Sequence, residues 1–293
     1  MRSAFKPGSL REPGSDNPLA SSRGMFVAAV LLAAALCGCE GTQAKTALGY
    51  TEDAKRAYDV AMEEFNAHSW IEAQTLMREV KRKYSYSKWA RQAELRIADA
   101  DVEQEKFPDA IREYKEFVHA HRSDTEDCIY ARAKMAEATF AEIPESFLMP
   151  AAEERDQASV IDAYKELRSF LEEYPDAKQT RRMRELLANV TARLVRHELY
   201  VARFYLKKDN YEAAVARIQY ALKNYGEADQ AIVTGADAGL KAEALLLLGT
   251  TYLKMNKWTE AKQAFEALVR NYAQSPLATE ARNYLEYLKE KGA

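Results

Sequence analysis

One pattern of aromatic and small residues recurs along the chain, and it constrains the fold more than any other feature. An aromatic or apolar residue, an Ala and two further apolar residues follow one another with two, three and two positions between them. Five copies are present, and they begin at Trp70, Phe107, Val160, Tyr211 and Trp258. Because these spacings keep the residues on one helix face, each copy predicts an amphipathic helix.

Recurrence of one helical motif predicts stacked pairs of helices. The Ala lets two helices approach closely, the aromatic residue fills the turn between them, and the later apolar positions contact the next pair. In the last copy Gly249 and Tyr252 precede the motif, and the whole pattern resembles the tetratricopeptide (TPR) repeat. The resemblance implies an all-α fold: a right-handed TPR superhelix (α-solenoid) of about five helix-turn-helix repeats. We expect Pro276 to Glu290 to form a C-terminal capping helix.

The distances between copies indicate inserted segments. A TPR repeat alone occupies about 34 residues, whereas these copies begin 37 to 53 residues apart. We expect Pro144 and Pro150 to break the chain between the second and third repeats, and a long helix, roughly Lys178 to Lys208, to begin the fourth. The solenoid is predicted over residues 51–290, with second-helix motifs near 70–84, 107–121, 160–175, 211–225 and 258–272.

The most apolar stretch of the chain lies near the N-terminus, from Met25 to Leu36. It follows Arg23 and precedes small residues, which is the order found in a secretory signal, and it is short for a membrane span. Leu36 and Gly38 stand at positions −3 and −1 of Cys39, which resembles the lipobox of bacterial lipoproteins. The resemblance implies that residues 1–38 are a lipoprotein signal peptide, that Cys39 is lipidated, and that residues 39–50 are a flexible tether.

Two other interpretations of this segment stay open. It is either an uncleaved signal anchor, or Cys37 and Cys39 take part in redox or metal chemistry, although two thiols without a nearby His or Cys supply only half a zinc site. Cys128, the remaining cysteine, is expected to be a buried core residue.

The charge of the chain argues against a nucleic-acid partner. The net charge is −3, and it becomes −5 when residues 1–38 are removed. An acidic protein lacks the basic surface that phosphate backbones require. Membrane attachment is therefore expected through the N-terminal lipid.

No residue pattern indicates catalysis. His119 and His121 are two positions apart on a predicted helix, so they point to different faces and cannot chelate one ion; we interpret them as surface histidines. The chain contains no glycine-rich phosphate loop, G-x-S-x-G elbow or H-E-x-x-H motif. We expect no catalytic residue, no metal site and no cofactor.

The central segment carries a more specific resemblance. Residues 154–225 contain Arg-Asp, a second helix that ends in Tyr-Pro, a long helix with R-L-x-x-x-E, and a Tyr-x-x-Ala motif. Together with the lipobox and five TPR motifs, this order resembles the BamD (YfiO) family of outer-membrane β-barrel assembly lipoproteins. The first two repeats depart from the family pattern, because Asp99 and Asp101 stand where the family tends to have aromatic residues.

The resemblance implies a function and a set of partners. It implies a non-enzymatic scaffold and client-binding lipoprotein of the barrel assembly (BAM) complex, anchored by lipid on the periplasmic face of the outer membrane. The implied partners are a BamA-like protein with POTRA domains and a β-barrel, other assembly lipoproteins, and unfolded outer-membrane protein clients. The alternative is another periplasmic TPR lipoprotein that scaffolds a cell-envelope or division complex.

A basic stripe on the long helix is the candidate partner-binding site. Its members follow a spacing of three and four positions: Arg182, Leu186, Asn189, Arg193, Arg196, Tyr200, Arg203 and Lys207. Such spacing predicts one mostly polar face, turned away from the apolar face. Arg193, Arg196, Tyr200 and Arg203 are the predicted contact residues, and by resemblance Arg193 faces the POTRA partner. The simpler interpretation is a solvated helix face.

Overall fold

Eleven α-helices make up the part of the chain that the structure, a computed structural model, describes: residues 47–122, 125–145, 150–225 and 235–292. They are α1 (Ala47–Asn66), α2 (Trp70–Lys83), α3 (Lys88–Glu103), α4 (Phe107–Ala120), α5 (Thr125–Ala141), α6 (Ala158–Glu173), α7 (Thr180–Leu206), α8 (Tyr211–Asn224), α9 (Gly235–Lys254), α10 (Trp258–Asn271) and α11 (Leu277–Glu290). A short 3-10 helix, Ala152–Glu154, precedes α6. No strand occurs within these ranges.

The recurring motif marks the second helix of each pair. Four of these helices, α2, α4, α8 and α10, begin at the aromatic residue of the motif, and α6 begins two residues before Val160. The motif alanines Ala73, Ala110, Ala163, Ala214 and Ala261 are all fully buried. This burial agrees with the reason for the motif, since a small side chain at the contact lets two helices pack closely.

Four of the five helix pairs share one turn. The residue two positions before the aromatic has a left-handed backbone: His68, Glu105, Asp209 and Asn256 have φ between 53° and 61°. In each case the next N–H donates to a carbonyl five residues back, as Lys106 N does to Asp101 O at 2.9 Å. The residue itself donates three positions back, as Glu105 N does to Val102 O at 2.9 Å. These two bonds define a Schellman motif, which satisfies the last carbonyls of the first helix.

Apolar cores form between neighbouring repeats. One cluster joins α1 and α2 to α3, a second joins α3 and α4 to α5, and the largest extends from α5 to α11. The last helix closes this core with Ala278, Ala281 and Leu288, which are fully buried. The predicted all-α solenoid and its capping helix are therefore confirmed, while the handedness stays a prediction.

The helix boundaries refine the predicted domains. Helix α1 begins at Ala47, so residues 47–50 belong to a helix and not to the predicted tether. The predicted long helix is confirmed, since α7 has 27 residues. Residues 142–157 separate α5 from α6 where two prolines predicted a break, and the Arg155 guanidinium bonds the carbonyls of Pro144 and Pro150 at 2.8 and 2.7 Å.

Candidate partner-binding site on the long helix

Helix α7 is the element on which the predicted contact residues lie. Between Thr180 and Leu206 the sequence contains neither Gly nor Pro, so nothing in its backbone interrupts the helix. At 1.5 Å per residue it is about 40 Å long. One face packs into the core through Met183, Leu187, Val190 and Leu194, all buried. The apolar face therefore lies where its periodicity predicted.

The predicted stripe is not continuous. Leu186 is buried with 2% of its surface exposed, so the expectation that it belongs to the outward face is wrong. The reason is the length of α7: it packs against neighbours on more than one side, including α5, α6, α8 and α9. Arg182 and Asn189 are exposed on either side of this interruption.

The four contact residues differ in exposure and pairing. Arg193 is nearly buried, with 11% of its side chain exposed, and its guanidinium pairs with Glu145 at 3.2 Å. Arg203 is exposed and forms an ion pair with Glu243 of α9. Both arginines therefore already hold a carboxylate of the same chain, although each of these pairs is partly open to solvent and correspondingly weak.

Arg196 and Tyr200 lie between those two arginines and are exposed. The charge of Glu154, together with a small desolvation and a hydrogen bond to the same carboxylate, raises the pKa of Tyr200. Arg196 makes no ion pair or hydrogen bond with any residue in the described ranges. Arg196 is thus the contact residue that is most available to an outside carboxylate.

A buried carboxylate, paired with a half-exposed arginine, lies beside the stripe, and the sequence analysis missed it. Glu198 of α7 is 7% exposed and accepts a hydrogen bond from Arg217 of α8 at 3.2 Å. Its position could have signalled burial, because it follows Leu187 and Leu194 on the apolar face. A carboxylate at an apolar position is normally retained only with a partner.

A cavity of about 620 Å³ opens beside Arg193. Its lining joins the turn between α3 and α4, the C-terminal end of α5, the 3-10 helix and the middle of α7. The 3-10 helix is held against α7 by a hydrogen bond between Glu153 O and the His197 ring, 2.7 Å from Nδ1. No sequence pattern predicted this cavity, because its walls come from segments that are far apart in the chain.

Asp99 and Asp101, which depart from the family pattern, lie inside the helix stack. Asp99 is 7% exposed and accepts hydrogen bonds from the phenols of Tyr114 and Tyr130, the latter at 2.9 Å, and it pairs with Arg96. Asp101 is 6% exposed and accepts from the Gln74 amide at 2.8 Å. Both carboxylates therefore connect α3 to neighbouring helices and present no free charge.

Burial and the Asp99 charge change the pKa of the groups around this network. Burial raises the pKa of Tyr114 and Tyr130, and the neighbouring carboxylate raises it further. Burial alone would lower the pKa of Arg96, but Asp99, Tyr130 and Tyr58 together outweigh it, and the pKa of Arg96 is raised. The network consequently consists of a carboxylate, a guanidinium and two protonated phenols.

The histidine and cysteine predictions have different outcomes. His121 is not a plain surface residue: its ring lies 3.0 Å from Glu94 and against Phe117. Cys128 is buried as predicted, and its thiol donates to His121 O. Among the described residues no group of three or more His, Cys, Asp or Glu side chains could hold a metal ion. The predicted lipidation at Cys39 lies outside the described residues.

The same residue ranges contain no helix that is long and apolar enough to cross a membrane.

Comparison with known proteins agrees with the predicted family. The YfiO family model, described as outer membrane lipoprotein, matches residues 51–234, and a TPR family model matches residues 243–275. BamD of Caulobacter vibrioides, named as an outer membrane protein assembly factor, is 27% identical over 247 residues, which are 84% of this chain and 75% of that protein. BamD of Neisseria meningitidis serogroup A is 27% identical over 266 residues, covering 85% and 91%.

Among solved structures, the TPR2AB domain of yeast Sti1 in its pHSP90 complex aligns with 82% of this chain and 98% of that one. Its identity is 14% and its TM-score is 0.38, a similarity too low to carry a structural argument. The assignment rests instead on the family models and on the helix pairs themselves. Since the first model spans well over half of the sequence, the chain belongs to the YfiO family of outer membrane lipoproteins.

Proposed function

We propose that this protein is a non-enzymatic scaffold of the BAM complex that assists the folding and insertion of outer-membrane proteins. The observation that carries the proposal is the match of residues 51–234 to the YfiO family model, together with relatives that are named as assembly factors. A stack of helix pairs suits this role, because its extended surface binds partners without chemistry of its own.

The proposed location is the periplasmic face of the outer membrane. The signal-like residues 1–38 and the lipobox-like cysteine supply export and a lipid anchor at Cys39. Because α1 begins at Ala47, only residues 40–46 separate the anchor from the first helix. At no more than about 3.6 Å per residue, seven residues reach at most roughly 25 Å, so the anchor would hold the start of α1 near the membrane surface.

The proposed partner of α7 is a BamA-like protein, contacted through its POTRA domains. Arg196 and Tyr200 are exposed and would meet the partner directly, whereas Arg193 and Arg203 would exchange Glu145 and Glu243 for partner carboxylates. A planar guanidinium can hold a carboxylate through two parallel hydrogen bonds, which a lysine cannot reproduce. The face is therefore suited to an acidic partner surface.

The N-terminal repeats are the proposed region for unfolded clients. Asp99 and Asp101 departed from the family pattern, but their carboxylates are engaged with Tyr114, Tyr130 and Gln74. They therefore add no unpaired negative charge that would repel a client segment. Other assembly lipoproteins complete the proposed set of partners.

The test is co-purification from membranes followed by calorimetry. We expect the tagged protein to retain an outer-membrane barrel with POTRA domains. Titration of a POTRA fragment should then show weaker binding for Arg196→Ala and Arg203→Ala, by up to about fivefold each if the pairs stay at an exposed rim and by more if they are desolvated. Arg270→Ala, on the exposed surface of α10, is the matched control.

Two results would contradict the proposal. Retention of cell-envelope or division proteins without any barrel would favour the alternative scaffold. Equal affinities for wild type, Arg196→Ala and Arg203→Ala would indicate that this face of α7 is only solvated and binds no partner, provided that circular dichroism shows all variants folded.

A further inference from the structure

The cavity beside Arg193 has two chemically different walls. Apolar surface comes from three helices and from the turn after α5, through Phe107, Phe140, Val190 and Ile143. Arg193 and Arg196 supply guanidinium groups from successive turns of α7. At about 620 Å³ the cavity falls within the roughly 300 to 1,000 Å³ of ordinary ligand sites. A ligand that fills it must therefore bring both apolar and anionic groups.

Arg193 is the cavity residue best suited to bind a ligand. Its side chain is 11% exposed, and its Nε atom is buried without a hydrogen-bond partner in the described ranges. A buried donor without a partner carries a free-energy cost that an incoming acceptor removes. Arg196, the second guanidinium, is exposed and unpaired in the same ranges.

Glu145 indicates which anion the site accepts. Its carboxylate pairs with Arg193 at 3.2 Å, yet 81% of its side chain is exposed. An ion pair with one partner so exposed is held weakly, so a better-placed carboxylate can replace it. Glu105 also lines the cavity, and its negative charge disfavours a dianion such as a phosphate. The chemistry therefore favours a monoanionic carboxylate.

We propose that this cavity binds a segment of a partner protein in which an acidic residue adjoins a large apolar residue. The acidic side chain takes the place of Glu145 on Arg193 and contacts Arg196, and the apolar side chain packs against Phe140, Ile143 and Val190. The inference rests on the proposed function in one respect, because the proposed BamA-like partner would supply the segment. It names the chemistry of that segment, which the family match does not.

The test uses the purified full chain and blocked tetrapeptides as probes. Acetyl-Gly-Phe-Glu-Gly-amide is titrated to about 5 mM, a range in which millimolar affinities are measurable. Binding is followed by NMR at the Ile143 δ1 methyl, with Ile218, buried in α8, as an internal reference. We expect the Ile143 signal to shift and the Ile218 signal to stay. Peptides with Gln in place of Glu, or Ala in place of Phe, should bind at least about fivefold more weakly.

Variants of the protein separate the cavity from its surroundings. Arg196→Gln should weaken binding about two- to fivefold, and Arg193→Gln by tenfold or more. Glu145→Gln should strengthen binding, because it removes the negative charge of the internal competitor while keeping the size of this lining side chain. Arg270→Gln, exposed on α10 and outside the lining, is the control and should bind like wild type.

The proposal is overturned if the Ile143 methyl does not shift, if the Glu and Gln peptides bind equally, or if Arg196→Gln and Glu145→Gln leave the affinity unchanged. These two variants alter exposed side chains, so misfolding does not confuse their result. The peptide titration needs no POTRA fragment. If the peptides do not bind but the POTRA fragment does, only the proposal for the cavity is rejected. If the peptides bind but the POTRA fragment does not, the proposed partner is rejected.

Discussion

Gly249 of α9 packs directly under the ring of Phe265 of α10. A Cβ atom at Gly249 would lie 2.6 Å from Phe265 Cζ, a distance that real Cβ atoms do not tolerate. The ring has no room to withdraw, because Phe265 is fully buried and stacks on Tyr284 of α11 with centroids 4.9 Å apart. This glycine is therefore required by a close approach between the two helices of the fifth pair.

Gly249→Ala should destabilise the C-terminal repeats. Overpacking a filled core costs about 1 to 3 kcal/mol, which outweighs the gain of about 1 kcal/mol that Ala brings to a helix interior. The loss should appear in urea unfolding, and hydrogen exchange should place it in α9 to α11, since repeat stability is largely a nearest-neighbour property.

Gly239 provides the control on the same helix. A Cβ atom there meets nothing within 4 Å, so Gly239→Ala should gain up to about 1 kcal/mol from helix propensity alone. Equal effects of the two substitutions would contradict the packing explanation, as would loss of exchange protection spread evenly over all repeats.

Glu105 is expected to be a strained helix-ending residue. It has φ of 58° in the Schellman turn between α3 and α4, a conformation that costs a side-chain-bearing residue about 1 to 2 kcal/mol relative to glycine. Glu105→Gly should therefore stabilise the protein by about 0.5 to 1 kcal/mol, measured as a higher urea midpoint at an unchanged slope.

The control variant for this prediction should change the free energy of unfolding in the opposite direction. Glu116 is exposed within α4, where the backbone is helical, so Glu116→Gly should cost about 1 kcal/mol. If both glycine substitutions destabilise, left-handed strain at Glu105 is not a measurable part of the stability.

The repeat architecture could be predicted because each repeat carries the motif within one short stretch of sequence. Four second helices begin at the aromatic residue of the motif, and the five motif alanines are buried. Length and spacing also placed the long helix α7 and the break after α5. The start of α1 at Ala47 was missed, since the sequence there has neither a proline nor the motif.

The candidate site was less predictable, because its contacts join distant segments. Helical spacing placed Arg193, Arg196, Tyr200 and Arg203 on one helix, but it could not show that Glu145 lies on Arg193 across 48 residues of sequence. Periodicity likewise assigned Leu186 to the outside, although α7 is covered on more than one side. Contacts of this kind depend on how the repeats stack, and a repeat motif leaves that stacking open.

Tyr114 should make the protein lose stability in alkali. Burial, reinforced by Asp99, raises the pKa of its phenol, whereas the unfolded chain titrates near 10. The stabilisation is therefore complete below pH 10, and it is lost as the pH rises above that value because only the unfolded state releases the proton. Lysines and other tyrosines titrate in the same range, but they are common to wild type and variant.

Tyr114→Phe is the variant that isolates this contribution. At pH 9 it should cost about 1 to 3 kcal/mol, because Asp99 loses a hydrogen-bond donor in a buried site. At pH 11 the difference from wild type should shrink by about 1 kcal/mol, since the variant has one fewer proton to lose on unfolding. Tyr86→Phe, at a side chain 95% exposed, should change neither value. A difference that stays constant or grows with pH would contradict the assignment.

Cys39 is predicted to be the lipidated N-terminus. Leu36 and Gly38 precede it at the spacing of a lipobox, and the apolar run before them is too short for a stable membrane span. Intact-mass analysis of protein extracted from membranes should show a chain that begins at Cys39 and carries acyl groups. Cys39→Ala should abolish this product, whereas the matched variant Cys37→Ala, two residues away in the segment to be removed, should leave the mature mass unchanged. A mature chain that begins at Met1 or Met25 would instead identify the apolar segment as an uncleaved anchor. A mature mass that Cys39→Ala leaves unchanged would identify it as an ordinary signal.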